Sequence, residues 1–145
     1  MNFHLNPDAV MTPIVVLLRA DVTLQGADYL NGTNKAFSGR LPNDATLPAV
    51  CVQAPTVRMD DGTQWVGEVR LYCYTSLLAN GQVDPKGNII LARCEELLSD
   101  ESVTVSGMTV QNMLSLGIVP SFFDAKTDKT KARGLLRLRV TLGYN

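Results

Sequence analysis

Six basic residues near the C-terminus, Lys126, Lys129, Lys131, Arg133, Arg137 and Arg139, are the densest concentration of charge in this 145-residue chain. Such a set can meet phosphates, or it can pair with acids on a neighbouring strand or subunit. Asp124 and Asp128 dilute it, and no aromatic residue interleaves it along the sequence as a stacking platform would. The plainer reading is a solvated loop leading into a strand face that pairs with carboxylates. Beside the lysines stands Phe122-Phe123. If that segment is a strand, one of the two rings points away from the chain's own core and is a candidate anchor for a partner. Edge aromatics are also often just packed under a loop.

Catalytic chemistry finds little material. A nucleophile with a base needs a histidine in reach of a serine or cysteine. The single histidine, His4, falls in an N-terminal arm over residues 1–8, where geometry is seldom held. Asp60-Asp61 precedes Gly62 and is explained as turn chemistry. Glu95-Glu96 belongs to the outer face of a helix. Neither GxGxxG nor GxxxxGK[ST] occurs, so no nucleotide cradle is indicated. Cys51, Cys73 and Cys94 are odd in number and widely spaced, which gives neither a zinc set nor a disulfide framework. They suit small core positions in a reducing compartment. The sequence offers no catalytic, cofactor-binding or metal-ligating site, and an enzyme is not expected.

The elements that position the basic set begin with the last stretch of the chain. Leu136, Leu138, Val140, Leu142 and Tyr144 alternate with Arg133, Leu135, Arg137, Arg139 and Thr141. A strand sorts these into one apolar and one largely cationic face. Upstream, 48–59 and 63–75 predict a hairpin about the Asp61-Gly62 turn. Trp65, Gly67, Val69, Leu71 and Cys73 share one face of its second strand, and Glu68, Arg70, Tyr72 and Tyr74 the other. A helix is expected over 13–25, opened at Asn6-Pro7 or Thr12-Pro13 and stopped by Gly26. A second is expected over 85–99, with Ile90, Leu91, Cys94, Leu97 and Leu98 as its apolar stripe. Residues 29–48 read as loop with a short strand near 35–40. Two further strands are predicted at 103–110 and 114–123, parted by Gln111-Asn112, with 124–133 as a mobile hairpin loop. The order α-β-β-α-β-β makes an α+β domain with two main helices on an antiparallel or mixed sheet.

Length predicts one domain over 1–145 with a single core. The formal net charge of -1 provides no global field toward nucleic acid or anionic lipid. The apolar stretch 10–18 is broken by Pro13, too short to span a bilayer and poorly flanked for a signal peptide, so a soluble protein is expected.

Residues 12–24, the proline-bracketed 39–52, the strand 68–75, the helix 88–98 and the terminal Arg-Gly-Leu-Leu-Arg-Leu-Arg-Val of 133–140 follow one another in a recognisable layout. Together they resemble the tail terminator (tail completion) proteins of long-tailed bacteriophages. The resemblance implies a subunit of a ring, commonly a hexamer, that caps the last ring of the tail tube and stops its polymerisation. It implies that the ring also offers a docking surface to the head–neck connector. The implied partners are further copies of the chain, the tail tube protein and the connector. Genomic DNA would pass through the lumen without sequence-specific contact, and no membrane is involved. The implied place is the neck end of the virion tail, after assembly in the host cytoplasm. A head-to-tail contact that closes by rotation makes such a ring, and edge strands are natural contacts. The arginine face would then form subunit salt bridges, or less readily line the lumen. Two alternatives are another neck or head-completion connector protein, and a small α+β nucleic-acid-binding module using 126–139, which requires strongly salt-dependent binding.

Overall fold

The computed structural model describes residues 7–60, 64–99, 104–105, 108–123 and 131–144. Along the chain run α1 (Pro7–Ala20), β1 (Ala36–Ser38), β2 (Ala49–Asp60), β3 (Gln64–Ser76), α2 (Lys86–Leu98), β4 (Thr104–Val105), β5 (Met108–Phe123) and β6 (Lys131–Tyr144). The strands form one sheet in the order β1-β2-β3-β6-β5-β4. β1 is parallel to β2 and every other pair is antiparallel, so the α+β class with a mixed sheet is what forms. The C-terminal strand is central, paired with β3 along one edge and β5 along the other.

Its apolar alternation explains that position. Leu136, Leu138 and Val140 are fully buried beside Val69, Leu71 and Cys73 of β3 and Val50 and Val52 of β2. α1 and α2 cover this face, with Ile14, Leu18, Ile90, Leu91, Cys94 and Leu98 completing one core. α2 lies so close to the sheet that a Cβ on Gly134 would sit 2.9 Å from Leu91 Cδ1 and 2.9 Å from Ser121 Oγ. Asn88 Oδ1 accepts the backbone N–H of Ser121 (2.8 Å) and fixes the start of α2 over β5.

α1 takes the first of its two expected openings, at Pro7, so it starts before the expected run 13–25 and ends short of it. It begins at Pro7, which serves as the first helical residue, and it runs on through Pro13. An interior proline costs about 3 kcal/mol, but Val10, Met11, Ile14, Val15 and Leu18 are all buried on the sheet side. At about 1.5–3 kcal/mol for each such side chain, burial wins. The helix ends at Ala20 because the Asp21 carboxylate accepts the N–H of Leu24 (3.1 Å) and makes a separate turn. Of the expected arm 1–8, residues 1–6 lie outside the described residues, while Pro7 and Asp8 are helical.

The other corrections are in the strands. The predicted strands 103–110 and 114–123 are instead the two-residue β4 and the sixteen-residue β5. Gln111-Asn112 does not break β5. The register slips there and again at 115–117 and 119–122, so the polar pair and Pro120 are taken up by irregularities in one continuous strand. Gly117, at φ +117°, occupies the second of these. β1 falls within the short strand expected near 35–40, and with it and β4 counted the order is α-β-β-β-α-β-β-β. The hairpin forms as expected, with Asp60 opposite Gln64, and its 61–63 turn lies outside the described residues. The predicted loop 124–133 is shortened by β6, which starts at Lys131; residues 124–130 lie outside the described residues.

Candidate interaction surface

Among the described residues no helix covers the second face of the sheet. Its rows follow from the register: Ala49, Tyr74, Arg133 and Phe122 lie side by side across β2, β3, β6 and β5. The next rows are Cys51, Tyr72, Leu135 and Val119, then Gln53, Arg70, Arg137 and Gly117. The arginine face of β6 is thus set directly against the tyrosine face of β3. Arg133 places its guanidinium 5.1 Å from the Tyr72 ring centre and 5.8 Å from that of Phe122, both within cation–π range. The Tyr72 and Tyr74 rings lie 6.4 Å apart. Burial raises the Tyr74 hydroxyl pKa, and a hydrogen bond with Arg133 offsets part of that rise.

One carboxylate balances part of this charge. Glu68 Oε1 accepts Arg137 Nε and, at 3.4 Å, Arg70 Nε. The Arg137 hydrogen bond, against the opposing effect of burial, holds Glu68 below the ordinary carboxylate range. Arg139, opposite Glu68 in the register, is exposed and makes no ion pair among the described residues. Cys51 is buried at the β2 end of this face, which pushes its thiol up to about 11 and leaves it protonated at neutral pH.

The sheet edge beside it has a different character. β4 pairs only with Thr109 and Met108, so from Val110 to Phe123 the outer edge of β5 has no strand partner among the described residues. No residue of β5 is charged. Five of the nine large hydrophobics exposed on the described surface lie here: Leu114, Leu116, Val119, Phe122 and Phe123.

No protein-family model matches the sequence, and no curated protein matches it either. Among solved structures, the fold is similar to that of a chain from the virion of a native gene transfer agent particle. The TM-score is 0.67 at 17% identity, covering 92% of this chain and 94% of that one. What the two share is the fold. Among the described residues no helix is long and apolar enough to cross a membrane.

The expected site residues are divided by the structure. Arg133, Arg137 and Arg139 share the open face, and Phe122 joins them through Arg133, while Phe123 falls opposite buried Ala132 toward the helix side. Lys131 opens β6, and Lys126 and Lys129 lie outside the described residues, as do His4 and Asp61. Glu95-Glu96 is not uniformly outward. Glu95 turns to β5, where its Oε2 accepts Ser115 Oγ–H (2.6 Å), and Glu96 stays in solvent with Arg93 (3.3 Å). Sequence reasoning did not assign Tyr72, Tyr74, Glu68 and Arg70 to this surface. Their signal was the alternation of β3, but nothing local shows which strand lies alongside it.

Proposed function

We propose that the protein is a structural component of a phage-type virion, a ring-forming tail terminator whose copies close around the end of the tail tube. One domain per chain, closed in a ring that is commonly a hexamer, would stop further tube rings from adding and offer its far side to the head–neck connector. DNA would pass through the lumen. The reading rests chiefly on the uncharged β5, whose outer edge beyond Thr109 has no strand partner among the described residues, and the fold shared with a virion-particle chain supports it. Protein edges are normally blunted by charge, because a flat apolar edge recruits strands from other chains. β5 has no charge, and its irregular register and Pro120 narrow the strands that can pair with it. Such an edge favours one shaped partner over open-ended addition, as a closed ring requires.

The test is molar mass by light scattering across a concentration series, with and without tail tube protein, beside negative-stain images. Rings of one size, alone or on the tube end, are expected, and Leu116→Lys should abolish them while changing monomer stability by no more than about 0.5 kcal/mol. A chain that remains monomeric with tube present refutes the proposal.

A further inference from the structure

The open face of β3 and β6 has a composition the rest of the chain does not. Arg70, Arg133, Arg137 and Arg139 stand on it against the single carboxylate of Glu68, although the whole chain has 13 basic and 14 acidic residues. Glu68 is already shared by two arginines. Among the described residues the arginines of this face outnumber its carboxylates, which suits an anion from outside.

Three features indicate which anion. First, alternate residues of one strand share a face at a repeat of about 6.8 Å, so Arg137 and Arg139 present a row of cations to a regularly charged polyanion such as a phosphate backbone. Second, the tyrosines and Phe122 interleave the arginines, an arrangement invisible along the sequence because the two sets come from different strands. Cation–π contact with Tyr72 and Phe122 uses none of the N–H donors of Arg133, so those beyond the one shared with Tyr74 can meet an anion. Third, the rows of this face run across four strands, wider than the two-stranded ribbon that fits a major groove, which suits backbone contact and not base reading.

We infer that this open sheet face binds the phosphodiester backbone of nucleic acid without reading its sequence. The inference builds on the ring reading by naming the surface that meets the DNA, but its support lies within one subunit. It also moves the arginines from subunit salt bridges to a polyanion.

The experiment is fluorescence anisotropy of a labelled random-sequence duplex titrated with the full chain. With three to four arginines on phosphates, affinity should fall roughly 40- to 150-fold between about 50 and 200 mM salt, equally for unrelated sequences. Arg139→Ala, which removes an exposed and unpaired side chain, should lower the log–log salt slope by about 0.9 with an unchanged melting temperature. Glu68→Gln should tighten binding severalfold. No binding at the lowest salt, or a slope that Arg139→Ala and Arg137→Ala both leave unchanged, overturns the inference. Tighter binding to poly-glutamate than to DNA also overturns it and assigns the face to an acidic protein surface. The ring-deficient Leu116→Lys chain separates the two proposals: DNA binding retained there supports this inference even if no ring forms, and rings that ignore DNA refute it alone.

Discussion

β3 and β6 build both faces of the sheet from alternate residues of the same two strands, and the faces obey different physics. On the helix side Leu71, Leu136, Leu138 and Val140 lose all contact with water, and their identity is set by volume. On the open side Tyr72, Arg133, Arg137 and Arg139 remain half-buried or exposed, and what they share is charge and flat aromatic area. One face is closed by the chain's own helices. No helix among the described residues covers the other: Ala49 and Cys51 are buried at its β2 end, but the arginines and tyrosines of β3 and β6 stay accessible.

The largest test of this contrast is truncation of adjacent residues. Leu136→Ala should cost about 2–5 kcal/mol in urea unfolding, as buried leucines do, whereas Leu135→Ala on the open face should cost less than about 1 kcal/mol. Equal losses would mean that the open face is a second core. A smaller effect is expected at Gly134, where a methyl meets Leu91 and Ser121 at 2.9 Å. Gly134→Ala should lower stability by about 1–3 kcal/mol through overpacking, with the loss visible in the thermal midpoint.

The smallest effect compares one ion pair from each side. Asp21, near the helices, takes Arg93 in a two-bond fork (Nε 3.0 Å, Nη2 2.9 Å) and is held below the ordinary carboxylate range chiefly by that hydrogen bond. Its folded pKa is below its unfolded value. The pair's stabilisation is therefore complete above the unfolded value and is lost as pH falls through the folded one. Asp21→Asn should accordingly flatten the fall in urea midpoint from about pH 5 downward. Glu68 is shifted in the same direction but is more exposed, with 22% of its side chain accessible against 13% for Asp21. Glu68→Gln should flatten the acid limb less, and salt should erase more of its effect.

Alternation made β3 and β6 legible before any fold was known, because period-two patterning reports a face directly. The same holds for α2, whose apolar stripe is the buried one observed. The Pro7 opening of α1 was legible as one of two, but the helical run was set at 13–25 because Pro13 is a strong local signal, and the five buried side chains that override it act only through the sheet beneath. β5 was read as two strands for a related reason. Gln111-Asn112 and Pro120 are local breakers, and their accommodation in register slips depends on the partner strand β6. The arginine surface was half legible: its cations were visible in 133–139, but its aromatic partners were not.

The sequence alone therefore determined which residues of each strand share a face, that β6 has one apolar and one cationic side, and that ordinary catalytic groups are scarce. Tertiary structure decided which faces meet. It brought Tyr72 beside Arg133 across more than sixty positions, turned Glu68 into the shared carboxylate of two arginines and, among the described residues, left the edge of β5 without a strand partner beyond Thr109. Periodicity is a property of neighbouring residues and survives without a fold, whereas strand order and register depend on long-range burial that only the assembled core can select.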